Sequence, residues 1–325
     1  MITVEACEHQ DDWDKAILTR GGHPLQLWGW GETKAAHNWR VERVFVRKDN
    51  VIHGAAQLLI RSLPRPFNAL VYIARGPVCS EKARGAVLEA LADYAKITYH
   101  AVAITAEPDW ETMPDAGGWQ RSLNTILIPR TLILDLTTSE DELLSHMTKK
   151  TRQYIRKSAS ESLEIRQVRG REELDDCLAI YKETAQRAGF GIHDNQYYYD
   201  VFDNLGEHSP VMAAYLDGRP VAFLWLAISR KTAFELYGGM NDDGQRLRAN
   251  YALKWHTIKT MKKWGIELYD FNGLLNDGVS TFKQGFANHE TMLAGTYDRP
   301  LSPLYILWNH ALPMAKKVIR KIKNR

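Results

Sequence analysis

The sequence predicts a mixed α/β protein (α+β) made of two tandem units of similar build. Three observations carry this. A series of helix, hairpin, strand, helix, strand runs through residues 8–105, and the same order returns between 163 and 271. The chain has 325 residues, long for one domain and comfortable for two. Its composition, 45% hydrophobic and 25% charged, suits a protein with a proper core. Each unit is expected to be a central sheet carrying helices on both faces.

The elements follow in order. Residues 8–20 place Trp13, Ile17 and Leu18 at helical spacing and stop at Gly21-Gly22. Residues 41–46 and 51–60 read as strands about a Lys48-Asp49-Asn50 turn. Residues 70–73 form another strand, stopped by Arg75-Gly76-Pro77. Residues 81–99 have a helical period through Val87, Leu88, Leu91, Tyr94 and Ala95, and 101–105 and 125–136 read as buried strands. At 139 the character changes. Ser139 is an N-cap followed by Glu140, Asp141 and Glu142, acids that suit a helix start. A basic helical run follows, with Lys149, Lys150, Arg152, Arg156 and Lys157. The second series then comprises a strand at 163–168, a helix at 171–187 and strands at 211–216 and 221–229 about an Asp217-Gly218 turn. It continues with a strand at 234–237, a helix at 249–264 and a strand at 268–271. Residues 301–325 read as a closing helix with a basic tail: Lys316, Lys317, Arg320, Lys321, Lys323 and Arg325.

Composition also excludes some functions. The net charge is only +3, so placement of charge matters more than its total. The three cysteines, Cys7, Cys79 and Cys177, are odd in number and far apart, which fits a reducing cytoplasm and no metal site. The histidines lack an H-x-x-x-H pattern, and no G-x-S-x-G elbow is present. The N-terminus lacks a basic signal-peptide start, and no stretch reaches the roughly 18 apolar residues of a membrane span.

The most informative motif is Phe282-Lys283-Gln284-Gly285-Phe286, shortly after Leu268-Tyr269-Asp270-Phe271-Asn272-Gly273. A lysine held between aromatics can stay cationic in a partly dry site and stabilise developing negative charge. The alternative is a surface lysine on a turn between two core phenylalanines.

Further segments join this one: Gln26-Leu27-Trp28-Gly29-Trp30-Gly31-Glu32-Thr33-Lys34, Arg75-Gly76-Pro77-Val78, the stretches 131–136 and 147–157, Thr184-Ala185-Gln186-Arg187-Ala188-Gly189-Phe190, and Tyr237-Gly238-Gly239. Taken in order over nearly the whole chain, they resemble the Fem family (FemABX) of peptidoglycan interpeptide-bridge aminoacyltransferases. The resemblance implies two tandem domains like GCN5-type N-acetyltransferases. The first spans 1–142 plus 296–325 and holds the precursor; the second spans 143–295 and holds the aminoacyl-tRNA end and the catalytic lysine. No long charged heptad insert is present, so the likeness is to shorter members without a coiled-coil arm.

The implied reaction is aminolysis of an aminoacyl-tRNA ester by the stem-peptide amine of a precursor, UDP-muramyl pentapeptide or lipid II. By resemblance, Lys283 is the central cation, Phe282 packs against the tRNA terminus, and Lys34 and Arg187 hold the precursor's pyrophosphate. Cationic donors suit phosphate oxygens. Alone, Lys34 also reads as a solvated helix lysine and Arg187 as a helix C-terminal arginine. Trp30, Tyr198 and Tyr237 are expected at the substrate. Glu107, before Pro108 where the family usually has aspartate, is the candidate base or amine-orienting group. Lys149, Lys150, Arg152 and Arg156 are candidates for tRNA phosphates, or else a solvated face. The basic tail suggests contact with tRNA or with the inner face of the membrane. No cofactor beyond the tRNA co-substrate is implied, and a cytoplasmic monomer is expected. Two other readings stand beside this one: an acyl-CoA-dependent N-acyltransferase, disfavoured by the broken Q/R-x-x-G-x-G/A pattern at 244–249, and a non-catalytic tRNA- or precursor-binding protein.

Overall fold

Local chemistry starts both sheets in the same way. Asp49 and Asn50 take φ of +51° and +64°, and Asp217 and Gly218 take +49° and +78°. Paired positive φ values suit two-residue hairpins, because their twist matches that of the strands they join. The structure, a computed structural model, describes residues 2–275 and 278–309. These divide into two compact units.

The first unit comprises residues up to 20, 34–129 and those from 293 onward. Its sheet has the order Ile2–Ala6, Arg40–Lys48, Val51–Ser62, Ala69–Ala74, Ala101–Glu107, Tyr297–Pro300, Gln120–Arg121. All pairings along it are antiparallel except Ala69–Ala74 with Ala101–Glu107. The apolar face of helix Arg84–Tyr99, with Val87, Leu88 and Leu91, packs on Val44, Leu58, Val71 and Ile104. The second unit comprises 21–33 and 130–292. Its sheet runs Glu164–Gln167, Val211–Leu216, Arg219–Ile228, Thr232–Met240, Leu268–Asp270, Ile133–Asp135. Again one pair, Thr232–Met240 with Leu268–Asp270, is parallel. The repeated series read in the sequence is therefore present twice in space.

Each sheet takes in one strand from across the other repeat: the end strand of the second sheet, and the next-to-last strand of the first, before Gln120–Arg121. Ile133–Asp135 follows the first repeat but pairs antiparallel with Leu268–Asp270 of the second. Tyr297–Pro300 follows the second repeat but pairs antiparallel with Ala101–Glu107 of the first. The division therefore falls at 129/130 and 292/293, where 142/143 and 295/296 were expected. Residues 21–33 also belong to the second unit. There Thr33 Oγ1 donates to the Asp200 carbonyl at 3.1 Å. A Cβ at Gly29 would lie 2.0 Å from the Asn204 carbonyl oxygen, so only glycine allows this approach.

The long strand expected at 125–136 is absent. Its residues form two short pairings, Arg130–Thr131 with Thr291–Met292 and Ile133–Asp135 with Leu268–Asp270. The apolar run is instead divided between loop and sheet because its partners come from distant sequence. Four helices among the described residues were not anticipated, Trp28–Ala36, Asn195–Leu205, Asp242–Leu247 and Gly278–Gln284. Of the closing helix expected at 301–325, residues 305–309 are helical; the basic tail at 316–325 lies outside the described residues. Among the described residues no helix is long and apolar enough to cross a membrane.

Candidate functional site

The two parallel pairs differ in one respect that locates a site. In the first unit the pairing holds to the strand ends, Ala74 with Glu107. In the second it covers three residues and stops at Phe234 with Asp270. Beyond it, residues 235–240 and 271–273 have no pairing to each other, so the sheet opens at the carboxyl ends of two parallel strands. Such openings are where α/β sheets receive ligands.

Lys283 stands at this opening, on the short helix Gly278–Gln284. Its ammonium donates to the carbonyls of Phe271 at 2.6 Å, Asn272 at 2.5 Å and Gly273 at 3.2 Å. Asn272 and Gly273 are left-handed, with φ of +52° and +37°. Asparagine and glycine tolerate that conformation, and the curl lets three successive carbonyls converge on one ammonium. All three N–H donors of Lys283 are thereby engaged. The segment is tied from its other side too. Asp270 Oδ1 accepts from Thr131 Oγ1 at 2.5 Å and from the Asn272 amide at 2.8 Å, and Asn272 Nδ2 donates to the Glu235 carbonyl at 3.0 Å.

The glycine of the motif has a packing reason. A Cβ at Gly285 would lie 2.3 Å from Thr151 Oγ1 on the basic helix Lys149–Ala159. The N-cap of that helix, Thr148, donates its amide to the Gly285 carbonyl at 3.0 Å. The motif and the basic helix are thus joined at one point.

Phe282 is half-buried against the core, edge-on to Tyr251 at 4.9 Å and to Phe286 at 5.2 Å. Tyr251 meets Tyr154 of the basic helix at 5.0 Å, and Arg248 and Lys150 lie over the Tyr154 ring at 4.2 and 5.6 Å. An aromatic strip with interleaved cations therefore runs from Phe282 to the basic helix. Lys149, Lys150 and Arg156 are exposed there. Arg152 is not available in the same way. Its guanidinium donates to the carbonyls of Leu144, Ser145 and Met147 and so closes the helix Glu140–His146.

Sequence reasoning missed a buried ion pair beside Lys283. Lys254, on helix Ala249–Lys263, is bonded to Glu235, and each residue is only 5% exposed. Burial pulls Lys254 down to about 8, against the opposing pull of Glu235 and with a smaller lowering from Lys283. Residues 19 apart on a strand and a helix carry no local signal; a lysine inside an apolar helical stripe was the one clue.

Tyr237 and Arg187 gather at the far end of the opened strand. Arg187 donates to the Met240 carbonyl at 2.8 Å and stands 3.8 Å from Asp242. Tyr237 meets Tyr198 edge-on at 5.1 Å and Tyr181 at 5.7 Å. Burial, then Tyr197, holds the Tyr237 phenol well above its ordinary value. Tyr198 is a core residue, 2% exposed, whose hydroxyl accepts from the His193 amide at 3.1 Å. Trp30 is buried, and Lys34 is half-buried on the same helix.

Glu107 lies in the first unit and is 1% exposed. Its carboxylate accepts from the amides of Ile126 and Leu127 at 2.9 and 3.0 Å and from the hydroxyls of Tyr72 and Thr296. That many donors around one carboxylate describe an anchor for the 126–127 loop. Two cysteines are poor nucleophiles: burial pushes Cys79 and Cys177 up to about 12. No metal-binding cluster occurs among the described residues. At 241–249, where an acetyl-CoA transferase would grip pyrophosphate, Asn241 Oδ1 accepts from Gly244 N at 2.9 Å, and Asp242 and Asp243 occupy the first turn. Acids there repel phosphate.

The chain matches the FemAB family over residues 11–114, 115–222 and 219–312. It is 31% identical over 406 residues to the lipid II:glycine glycyltransferase of Staphylococcus aureus (strain MRSA252), covering 94% of each chain. It is 23% identical to the protein of the same name from Staphylococcus haemolyticus, again over 94% of each. The first alignment is longer than this chain, so that relative carries segments this one lacks. Among solved structures, FemX superposes with a TM-score of 0.82 at 22% identity, covering 94% of this chain and all of that one. A tandem GNAT protein from the clavulanic acid pathway superposes at 0.53 and 12% identity, covering 93% and 99%.

Proposed function

The chain belongs to the FemAB family, and we propose that it transfers an amino acid from an aminoacyl-tRNA to the stem-peptide amine of a peptidoglycan precursor, building an interpeptide bridge. Lipid II is the acceptor favoured by the names of the relatives; the UDP-muramyl pentapeptide shares its stem. The observation that carries the reading is the opened sheet of the second unit with Lys283 fixed at its mouth.

The chemistry is aminolysis of an ester. The acceptor nitrogen attacks the aminoacyl carbonyl carbon, a C–N bond forms, and the carbonyl oxygen becomes an oxyanion. The C–O bond to the tRNA ribose then breaks, and the amine proton ends on the departing 3′ oxygen. The ester is already activated, so the step needs neither cofactor nor covalent intermediate. It needs position and a cation that does not have to reorganise. Lys283 fits the second need. Its hydrogens are committed to three carbonyls, so it acts as a fixed positive charge.

The aromatic and basic strip from Phe282 to Lys149, Lys150 and Arg156 suits a single-stranded RNA end. Bases stack on tyrosine and phenylalanine while cations meet phosphates. Arg187 is proposed for the precursor's pyrophosphate, and Tyr237 for its neighbourhood. Tyr198 is assigned to packing, and Glu107 to holding the 126–127 loop in place of a base. A lipid-linked acceptor would bring the protein to the membrane's inner face.

The test is a mass measurement. The protein is incubated with charged tRNA and each acceptor, lipid-linked and nucleotide-linked. A gain of one aminoacyl residue is expected on at least one acceptor and only with charged tRNA. Unchanged acceptors with every charged tRNA would overturn the proposal.

A further inference from the structure

A buried ion pair is a poor way to stabilise a core. Desolvating two charges costs about as much as their attraction returns, and well-packed apolar residues commonly do as well or better. The second unit nonetheless keeps Lys254 and Glu235 together, each 5% exposed, in the middle of its largest apolar cluster. The surroundings of the pair supply a reason. Lys254 Nζ stands 4.8 Å from the Phe271 ring centre and 5.6 Å from that of Phe282. An ammonium in this position attracts both ring faces, more strongly for being desolvated. Glu235 is the first residue after the parallel pairing ends, and its carbonyl accepts from Asn272 Nδ2. The Asn272 carbonyl in turn accepts from Lys283. The pair therefore touches the motif in two ways. One is through the ring of Phe282, the residue before Lys283. The other is through the asparagine at the middle of the three-carbonyl cradle.

We propose that Lys254 and Glu235 are a positioning pair, which holds Phe282 and the 271–273 carbonyls where Lys283 must be for transfer. This rests on the transferase reading, and it adds two residues that contact no substrate. Neither supplies a proton or a bond in the reaction.

The experiment compares wild type with Lys254→Met/Glu235→Gln. The double variant removes both charges at nearly constant shape and leaves no lone buried ion. Two readouts are taken. The first is the labelling rate of Lys283 by acetic anhydride, followed by peptide mass spectrometry, which needs no activity. A rise of about threefold or more is expected as the cradle loosens. The second is steady-state transfer. A fall of kcat by about 10- to 100-fold is expected for a misplaced site, with KM for the precursor within about twofold. Lys254→Arg, which keeps the charge, is expected to retain more of kcat than Lys254→Met. Unchanged labelling and unchanged kcat in a folded double variant would overturn the proposal and leave the transferase reading standing. Equal losses in Lys254→Arg and Lys254→Met would overturn it too, since volume and not charge would then matter. Should the double variant not fold, the Arg and Met singles carry the comparison. A wild type without transfer would refute the transferase reading, while the labelling result would still judge the pair.

Discussion

Replacing Gly285 with alanine probes the joint between the motif and the basic helix. The new Cβ would meet Thr151 Oγ1 at 2.3 Å, more than 1 Å inside ordinary contact. Thr151 is 4% exposed, and its hydroxyl is bonded to Thr148 Oγ1 at 2.9 Å, so it cannot swing away without loss. Overpacking of this kind costs about 1–3 kcal/mol. Gly285 is not among the residues with positive φ, so alanine suits the backbone there and returns about 0.4–1 kcal/mol through the unfolded chain. The net expectation is a loss of about 0–2.6 kcal/mol. In a Thr151→Ala background the obstacle is gone, and the same substitution is expected to be neutral or slightly stabilising. The assay is urea unfolding of the four proteins of this double-mutant cycle, with turnover measured alongside. A coupling of about 1–3 kcal/mol is expected, with kcat lowered by Gly285→Ala and partly restored in the double variant. The same cost in both backgrounds would refute the packing argument.

Lys283→Met is expected to lower kcat by about 100-fold or more, as for the loss of a preorganised charge that stabilises the oxyanion, with precursor affinity from calorimetry nearly unchanged; wild-type turnover would remove Lys283 from the chemistry. Glu107→Gln turns an acceptor of two amides and two hydroxyls into a group with its own donors. It is expected to cost about 1–3 kcal/mol of stability and to leave the pH profile of kcat in place, whereas loss of the profile's acid limb would restore Glu107 as a base. For Lys254 the sign follows from its direction: burial sets it at about 8 in the fold, below the ordinary lysine value of about 10.4. Between those values the unfolded chain binds more protons, so stability rises with pH. Glu235 from the strand and Lys283 from the motif helix are the charges that face it. Urea midpoints at pH 7.5 and 10 are expected to show wild type gaining on Lys254→Met/Glu235→Gln, and a widening deficit at pH 10 would contradict the direction.

Much of the architecture was legible because its signals are local. The Asp49-Asn50 and Asp217-Gly218 turns, the Ser139 cap on the Glu142 amide at 3.1 Å, and the apolar stripe of Arg84–Tyr99 each sit within a few residues. The exchanged strands were not legible, since a three-residue strand such as Ile133–Asp135 gains its place from a partner more than 130 residues away. Helix Asn195–Leu205 was hidden because three consecutive tyrosines masked the helical spacing of its buried Tyr197, Tyr198, Val201 and Leu205. The motif around Lys283 stood out by composition, but what holds its ammonium could not be read. The acceptors are backbone carbonyls, which every sequence has. For the same reason the crowded carboxylate of Glu107 and the carbonyl-capping Arg152 were read as reactive or solvent-facing groups.

The most direct test follows the donor. Aminoacyl-tRNA labelled on the amino acid is mixed with excess protein and lipid-linked precursor in a single turnover, with and without a large excess of acetyl-CoA. Label is expected to leave the tRNA and appear on the precursor as an amide, at a rate that acetyl-CoA does not change and that Lys283→Met reduces by about 100-fold. Label that stays on the tRNA, or an acetylated precursor in its place, would contradict the account.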